Sequence, residues 1–449
     1  MLCLTLAMLP LAAVVPTDGL VVTQDTTLEP GTYLLKQGLS IEADGVTLDG
    51  NGATLIGYDD TGRGVSIEGR KGVTIKNLKI ERFRWGIYAK NADDLTIEGC
   101  SIHRTAELPP GGTFLDIWTP PENAYGAAIL IWKAKNGKVT RNQLQHQQNG
   151  ILLYGCEKMS LLRNNASFNS GWGISLYETN DSVVENNTAD FCIRVQERGS
   201  RAYHAGADAT GLLMIMNSNR NKVIRNYFRG GGDGVFVAGF RAPDLKAPCN
   251  DNLFEDNDCS LSPNNAFEST FCEGNVFRNN KANNSNFGFW LGYSWKNTIE
   301  GNEIRGNRIA GIAIEHGNNT RIENNTIASN RDGVLLWSDG ESHFGPGWPE
   351  MIDSYTYTIT GNTFDANRIG VHCITGNGWW GQDAIAGKTA CRDYTITQNT
   401  FSNNRTGVRL VGVADSTVSG NSFDARHEKS VEVLDSKNVK QEANSVAEP

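Results

Sequence analysis

The sequence predicts a parallel β-helix, a solenoid in which every coil of the chain adds short strands to long parallel sheets. Two recurrent residues and their common period support this prediction. A glycine opens a short apolar strand every 22 or 23 residues wherever the repeat is uninterrupted, as at Gly288, Gly311 and Gly333. An asparagine follows a second β-branched run at the same period, as in TRIENNTI (320–327) and YTITGNTF (356–363). A fixed period in the twenties with short strands is typical of solenoid proteins.

The first strand of each coil is the one that the glycine opens. In residues 310–331, Ile312 and Ile314 alternate with Ala313 and Glu315, so one set is expected to face inward and the other outward. Two further short strands complete this 22-residue coil. Because each strand pairs with its equivalent in the next coil, the sheets are expected to run parallel along the axis. The repeat extends over about 14 coils, which together form one elongated all-β domain.

The recurrent asparagines are expected to stack from coil to coil, roughly 4.8 Å apart, at the bend between the second and third strands. Their side-chain amides would then form a ladder of hydrogen bonds, as stacked amides do in other parallel arrays. This structural role is favoured over a role as ligands. The predicted members are Asn142, Asn165, Asn187, Asn226, Asn257, Asn280, Asn302, Asn325, Asn362, Asn399 and Asn421.

The N-terminus and the composition restrict location and partners. Residues 2–15 form an apolar run that is too short to span a bilayer and resembles the centre of a secretory signal, although no basic residue precedes it. We therefore predict a signal segment at 1–17, a β-helix domain at 18–449, and a secreted or periplasmic protein without a membrane span. The net charge of -9 and the lack of Lys/Arg runs argue against nucleic-acid binding. The oligomeric state stays open.

Eight cysteines follow Cys3, and no two of them have the CxxC spacing of a zinc cluster. Cys373 and Cys391 flank one long loop and are candidates for a disulfide, and Cys249 is a candidate to pair with Cys259 or Cys272. The alternative is that these cysteines are small apolar side chains inside the coils. Cys100, at the phase of the asparagines, fits that alternative.

The glycine strand and the asparagine turn together resemble the right-handed parallel β-helix repeat proteins of the pectate-lyase superfamily. The resemblance extends over nearly the whole chain, and it is specific for fold rather than for chemistry. It implies that a polysaccharide binds in a cleft over the first strand of the coils. Calcium-dependent lyases of that superfamily carry clustered aspartates and a basic residue on this face, and no such cluster stands out here.

Five coils are longer than the period, and none of the insertions interrupts the asparagine turn. Long insertions on a compact scaffold are usually functional. We expect these loops to rise on both sides of the outer face of the first strand and to wall a groove along it. The insertions are residues 105–124, 193–210, 240–250, 339–355 and 376–391.

Glu268 and Glu315 are the predicted catalytic pair, two coils apart on the outer face with Trp290 between them. Their Cα atoms are expected to lie on the order of 10–12 Å apart. Their carboxyl groups could then approach to roughly 6.5–9.5 Å, the separation in an inverting glycosidase. Asp233, one coil from Glu268, is a candidate to replace either member. His316 could assist as an acid or base. The alternative for each glutamate is that it only makes the sheet soluble.

Aromatic and polar residues on the same face and in the loops are the predicted sugar-binding residues, because aromatic platforms and carboxylates are what a glycan cleft needs. The alternative for the tryptophans is packing within the loops, and for the histidines a solvated turn. The predicted set is Tyr177, Glu178, Trp290, Tyr293, Trp337, His204, Asp208, His343, His372 and Trp380.

These observations predict a glycoside hydrolase that acts on a polysaccharide or oligosaccharide. A lyase or C5-epimerase on a uronic-acid polymer is the first alternative, with Tyr293 or His316 as the base. A glycan-binding module without activity is the second alternative. No cofactor or resident metal is expected, except that a lyase would bring a requirement for Ca²⁺.

Overall fold

The structure is a computed structural model that describes residues 12–109, 115–198, 202–206, 208–242, 245–344, 348–376 and 384–447. Three parallel sheets wind around one axis, as the repeat predicts. Pairing already begins at Val14, which bridges Leu28. It therefore starts inside the predicted signal segment, and the boundary at residue 17 stays a prediction.

Sheet 1 contains the glycine strands and joins each coil to the next in parallel, with registers such as Ile312 beside Val334 and Glu315 beside Trp337. The glycines are needed because successive coils approach closely there: a Cβ on Gly311 would lie 2.6 Å from the carbonyl oxygen of Gly333. The sixteen strands are Val21–Val22, Leu39–Ile41, Arg63–Glu68, Trp85–Lys90, Ala127–Trp132, Ile151–Tyr154, Trp172–Tyr177, Thr210–Ile215, Asp233–Ala238, Asn265–Thr270, Phe287–Trp290, Ala310–Glu315, Asp332–Ser338, Ile369–Thr375, Thr406–Val411 and Lys429–Leu434.

Sheet 2 holds the β-branched run that precedes the asparagine. Its seventeen strands are Thr26–Thr27, Thr47–Asp49, Thr74–Lys76, Thr96–Glu98, Lys138–Thr140, Ser160–Leu162, Val183–Glu185, Lys222–Ile224, Leu253–Glu255, Val276–Arg278, Thr298–Glu300, Asn318–Glu323, Ser354–Thr360, Cys391–Thr397, Val413–Ala414, Thr417–Ser419 and Lys440–Glu442.

Sheet 3 follows the asparagine and is built in two sections. The first section contains Thr32–Leu35, Thr54–Gly57, Lys79–Glu81 and Ser101–His103. The second contains Glu303–Arg305, Thr326–Ala328, Thr363–Asp365, Thr400–Ser402, Ser422–Phe423 and Ser445–Val446. Within the described residues, the insertions add antiparallel hairpins, Val195–Arg198 with Ala202–Ala205 and Phe240–Ala242 with Leu245–Lys246, and the 3-10 turns Pro121–Asn123 and Pro349–Met351.

The asparagine column lies at the bend between sheets 2 and 3. In each step the backbone N–H and the side-chain Nδ2 of one asparagine donate to Oδ1 of the asparagine in the next coil, at 2.9 and 3.0 Å from Asn257 to Asn280. Asn164, rather than the predicted Asn165, belongs to this column, because only one left-handed residue, Arg163, separates the strand end from it. The column runs through Asn142, Asn164, Asn187, Asn226, Asn257, Asn280, Asn302, Asn325, Asn362, Asn399, Asn421 and Asn444.

The cysteines are free thiols in the structure, and all eight after Cys3 are buried. The predicted disulfide between Cys373 and Cys391 is therefore wrong, as are the two pairings considered for Cys249. Cys391 instead donates its thiol to the carbonyl oxygen of Ile374 at 3.2 Å. Cys100 lies next to the asparagine column, where its backbone N–H donates to Asn142. The cysteines thus fill space inside the coils.

The insertions lie on the outer face of sheet 1 and bury most of it, whereas the sequence predicted a groove running along that face. Two apolar clusters form there. The first joins Leu115 and Ile117 of one insertion to Leu130, Leu152 and Leu213 on the sheet. The second is built on the later coils by Phe287, Ala310, Ala313, Leu335, Trp337, Ile374 and Val411. Between these clusters, three successive coils keep partly exposed residues at the centre of their strands.

Candidate active site

Between the two apolar clusters, sheet 1 has a partly exposed window of three coils. At the central outward position, Phe236, Glu268 and Trp290 follow one another in register, and each is partly exposed. Leu213 on one side of the window and Ala313 on the other are fully buried. Phe236 packs against the first apolar cluster and Trp290 against the second. The window therefore presents one carboxyl group between two aromatic side chains.

Glu268 and Asp233 form a coupled pair of carboxyl groups that Asn265 connects. The Nδ2 atom of Asn265 donates to Oε2 of Glu268 at 2.6 Å, and its backbone N–H donates to Oδ1 of Asp233 at 2.8 Å. Burial raises the pKa of Glu268 from 4.5 to about 7. Burial and the neighbouring charge of Glu268 raise the pKa of Asp233 well above its ordinary value. Near neutral pH the pair therefore keeps at least one proton.

A separate cavity of about 150 Å³ opens where the coils turn out of sheet 1. It is lined by Tyr293, Glu315, His316, Trp337, Asp339, His343 and Gly376. The rings of Tyr293 and His316 stack with centroids 5.1 Å apart. The residues come from four successive coils and from the insertion that follows Ser338, so the cavity depends on both the repeat and a loop.

The two histidines of the cavity meet at Asp339. Nε2 of His316 lies 3.3 Å from Oδ1 of Asp339, and Nε2 of His343 lies 2.8 Å from Oδ2. The other ring nitrogen of His316, Nδ1, lies 2.8 Å from the backbone carbonyl oxygen of Ile352. Burial lowers the pKa of His316. Burial opposes ionisation of Asp339, but the backbone N–H of Glu341 and the side chain of His343 outweigh it and lower the pKa of Asp339.

Glu315 lies on the wall of the cavity that is nearest to the window. Its carboxyl group hydrogen-bonds the side chains of Trp337 and Tyr293, and burial raises its pKa. Burial, together with the charges of Glu315 and Asp339, raises the pKa of Tyr293. A Cβ on Gly292 would lie 3.4 Å from Nε1 of Trp290 and 3.7 Å from Cβ of Glu315. Trp290 of the window and Glu315 of the cavity therefore both lie beside Gly292.

The structure distributes the four predicted catalytic residues between two neighbouring groups. Glu268 and Asp233 lie in the window, whereas Glu315 and His316 lie in the cavity. Asn265 links Glu268 to Asp233, its partner in the window. Glu315 is not part of this hydrogen-bonded group. The separation of the Glu268 and Glu315 carboxyl groups expected for an inverting glycosidase stays a prediction.

Several predicted sugar-binding residues are buried in supporting roles. Tyr177 packs against Tyr154 in the first apolar cluster, with ring centroids 5.0 Å apart. Trp337 is 1% exposed and meets Trp290 edge-on. Asp208 is 1% exposed and accepts the backbone N–H of Leu115 at 2.7 Å. The prediction that these three line an open groove is wrong, because the insertions cover them.

His372, another predicted sugar-binding residue, does not line the cavity. Its Nδ1 is 3.3 Å from Oδ2 of Asp332, and Arg368 donates to Oδ1 of the same carboxylate at 2.8 Å. Burial opposes ionisation of Asp332, but His372 and Arg368 outweigh it and lower the pKa of Asp332. The histidine and the aspartate are both buried, so this group holds two coils together.

The remaining predicted residues divide into three cases. Trp290 lies in the window, and Tyr293 and His343 line the cavity, so their role in sugar binding stays a prediction. Glu178 is exposed and begins a turn with a left-handed backbone, φ 50°. The strand that contains His204 pairs with its neighbour in a hairpin, but the His204 side chain and the whole of Trp380 lie outside the described residues.

Asp339 and Asn265 are the residues that sequence reasoning missed. Asp339 precedes His343 by four residues in a loop, a spacing that brings the two side chains together, and this was a usable signal. Asn265 opens its strand at the position where Asp233 opens the preceding one. Nothing in the sequence marked it, because its bond to Glu268 depends on the fold of both coils.

Two family models match the chain. One, described as a periplasmic copper-binding protein (NosD), matches residues 37–239. The other, described as a right-handed β-helix region, matches residues 210–383. Together with the parallel sheets, they identify the fold as a right-handed parallel β-helix. No curated protein matches the sequence. Within the described residues, no helix is long and apolar enough to cross a membrane.

Solved structures with a similar fold include three that act on carbohydrates according to their names. The A-module of mannuronan C-5 epimerase AlgE4 from Azotobacter vinelandii has 16% identity over 89% of this chain and 91% of its own, with a TM-score of 0.47. Alginate lyase AlyF-OU02 has 15% identity over 93% and 83%, with a TM-score of 0.40. DFA-IIIase from Arthrobacter chlorophenolicus A6 has 13% identity over 74% and 70%, with a TM-score of 0.37. These likenesses concern the fold.

Proposed function

We propose that this protein is an exported carbohydrate-active enzyme that hydrolyses a glycosidic bond at the window. One observation carries the proposal: Glu268 lies partly exposed between Phe236 and Trp290, with a pKa that burial raises to about 7. A carboxyl group that keeps its proton near neutral pH is the general acid that glycoside hydrolysis needs. Glu268 would protonate the leaving oxygen.

The aromatic neighbours of Glu268 favour a sugar as the ligand. Sugar rings stack on aromatic side chains, while polar groups fix their orientation. Strands of neighbouring coils lie about 4.8 Å apart. Phe236 and Trp290, one coil on either side of Glu268, therefore flank the acid at roughly the spacing of a single sugar ring. An oligosaccharide lying across the window would place one glycosidic oxygen near Glu268.

Asp233 lies in the coil before Glu268 and is linked to it through Asn265. It is fully buried, so it is a positioning residue and not a group that contacts substrate. Burial and the charge of Glu268 raise the pKa of Asp233, so the pair resists losing both protons, and Asn265 holds the two carboxyl groups in a fixed arrangement. A paired carboxyl group of this kind is a common means of keeping an acid protonated.

Glu315 is the second carboxyl group of the proposal, on the far side of Trp290. As a carboxylate it would activate the attacking water, which an inverting mechanism needs on the opposite face of the sugar. The cavity beside Glu315 offers space for water. Export is part of the same proposal and depends on the apolar run at 2–15. Fractionation of cells that express the full chain would test it.

The experiment is a reducing-end assay on a panel of neutral and acidic polysaccharides with wild type, Glu268→Gln and Glu300→Gln. Glu300, on sheet 2, is the matched control because it carries the same side chain on a different face. We expect Glu268→Gln to lose at least 100-fold in kcat and to retain substrate binding, since general acids contribute about 10²–10⁴. Equal activity of wild type and Glu268→Gln would overturn the proposal.

A lyase or C5-epimerase is the second candidate, and the stacked Tyr293 and His316 rings in the cavity favour it, because either ring could exchange a proton with a sugar carbon. The same assay separates the two: a lyase forms an unsaturated uronate with ultraviolet absorbance, whereas a hydrolase forms reducing ends without it. Ligand binding without any product would instead indicate a glycan-binding module.

A further inference from the structure

We propose that His316, Asp339 and His343 form a binding site for one divalent transition-metal ion of the zinc class. Their potential ligand atoms all lie within 4.8 Å of one another. Two imidazole nitrogens and one carboxylate oxygen are a ligand set that Zn²⁺ takes in proteins. This inference is independent of the proposed hydrolysis, because none of the three residues lies in the window.

The orientation of His316 is the first argument for an ion. The carbonyl oxygen of Ile352 can only accept a hydrogen bond, so Nδ1 of His316, 2.8 Å away, carries the proton that it donates. In the neutral ring Nε2 then presents a lone pair, and it does so toward Oδ1 of Asp339 at 3.3 Å. Two acceptors that face each other repel unless a cation, either a proton on Nε2 or a metal ion, lies between them.

The hydrogen bond from His316 Nδ1 to the carbonyl oxygen of Ile352 is also of the kind that orients a metal-binding histidine. A metal-binding histidine usually donates its other ring N–H to a carbonyl or carboxylate, which fixes the tautomer and the ring orientation. Ser338 donates to the same carbonyl oxygen at 2.6 Å and thereby positions it. The His316 side chain is 1% exposed, so its direction is set by packing rather than by solvent.

The candidate ligand atoms lie within 4.8 Å of one another, and one pair has the separation that a single ion of this size requires. Two atoms that bind Zn²⁺ at about 2.0–2.1 Å in a tetrahedron lie roughly 3.3 Å apart. The Nε2 atom of His316 and Oδ1 of Asp339 are 3.3 Å apart, while Nε2 of His343 and Oδ2 of Asp339 are 2.8 Å apart. The rings of the two histidines are perpendicular, at 86° with centroids 5.2 Å apart, so their nitrogens approach from different directions.

Three protein ligands leave a fourth coordination position, and the cavity provides the space for it. The ligands line the cavity together with Tyr293, Glu315 and Trp337. Structural zinc sites have four protein ligands, whereas sites with three keep one position for water or a substrate group. The site is therefore of the open kind, able to exchange its fourth ligand.

The test is a titration of the chelator-treated full chain with Zn²⁺. Calorimetry and competition with a fluorescent chelator measure the binding, and thermal unfolding measures the Tm. We expect one equivalent to bind to wild type and to raise its Tm. Co²⁺ is expected to give the intense visible absorption of a four-coordinate ion. Ca²⁺, which prefers six to eight oxygen ligands, is expected to leave the Tm unchanged.

The variants are His343→Ala and Asp339→Asn, with His146→Ala as the matched control. His343 and His146 are both exposed, so neither replacement removes core packing. We expect the first two to weaken Zn²⁺ binding at least tenfold and the control to leave it unchanged. Failure of wild type to bind Zn²⁺ would overturn the inference, and so would stoichiometric binding that survives in both site variants.

Discussion

At the scale of single residues, the outward position of Glu268 follows from strand periodicity alone. Counting from the glycine that opens a strand assigns the inward positions correctly, as Ile312 and Ile314 in the core and Glu315 outside it illustrate. The raised pKa of Glu268 did not follow from periodicity. It depends on burial by neighbouring coils, which the hydrogen bond from Asn265 offsets only in part, and neither effect is visible in a local pattern.

The pH dependence of stability should contain a contribution from Glu268. Its folded pKa of about 7 exceeds its ordinary value of 4.5, so between these values the folded protein holds a proton that the unfolded chain has lost. The free energy of unfolding is therefore expected to fall as the pH rises from about 4.5 to about 7. Glu268→Gln removes the proton exchange and should flatten the profile, measured as the urea midpoint from pH 4 to 8. A Glu268→Gln profile that runs parallel to wild type would contradict this, and Glu300→Gln is the control.

Asp332 should show the opposite dependence. Its folded pKa is lowered by His372 and Arg368 in spite of burial, so its contribution is present above the ordinary pKa of Asp and is lost as pH falls through the folded value. We expect Asp332→Asn to lower the free energy of unfolding by about 1–3 kcal/mol near pH 7, because buried His372 then loses its charged partner. Chemical unfolding measures this. Asp256→Asn, on an exposed residue, should cost little. Equal costs for both would contradict the prediction.

At the scale of elements, the sequence predicted the strands better than the loops. The second strand and its asparagine are set by a local pattern that repeats in each coil, so even the one wrong residue, Asn165, was a neighbour of the right one. The insertions carry no period. Whether they wall a groove or cover the sheet is decided by apolar contacts such as those of Leu115 and Trp348, which only the fold brings about.

Removal of one asparagine from the column should be costly. Asn280 accepts from Asn257 and donates both to Asn302 and to the carbonyl oxygen of Phe254, all of them buried. Asn280→Ala leaves several of these groups without a partner, and each unsatisfied buried group costs about 1–3 kcal/mol. We expect a loss of at least ~3 kcal/mol in the free energy of unfolding. Lys281→Ala, its exposed neighbour, is the control and should change little; equal losses would contradict a structural role for the column.

At the scale of the whole molecule, each coil contacts mainly the coil before it and the coil after it. The fold class could be predicted from the sequence because this nearest-neighbour arrangement repeats every 22 or 23 residues. The active site could be predicted only in part. Glu268 and Trp290 lie on the predicted face, but the meeting of His316 with Asp339 and His343 depends on how one insertion folds back.

The same arrangement predicts that a complete coil can be duplicated. A second copy of residues 65–86, inserted after Gly86, supplies matched strands on both sides and should fold with a Tm close to that of wild type. A copy of 65–75 alone shifts the phase by half a coil and should destabilise the fold strongly. Circular dichroism and thermal unfolding measure both. The reverse order of stability would contradict the prediction.

The side-chain amide dipoles of the asparagine column are aligned along the axis of the β-helix. In every step Nδ2 of one asparagine donates to Oδ1 of the asparagine in the next coil, so the side-chain carbonyl dipoles point the same way over the length of the column. Aligned hydrogen bonds polarise one another. An interruption at the centre of the column should therefore weaken the bonds on both of its sides, whereas one at either end affects a single neighbour.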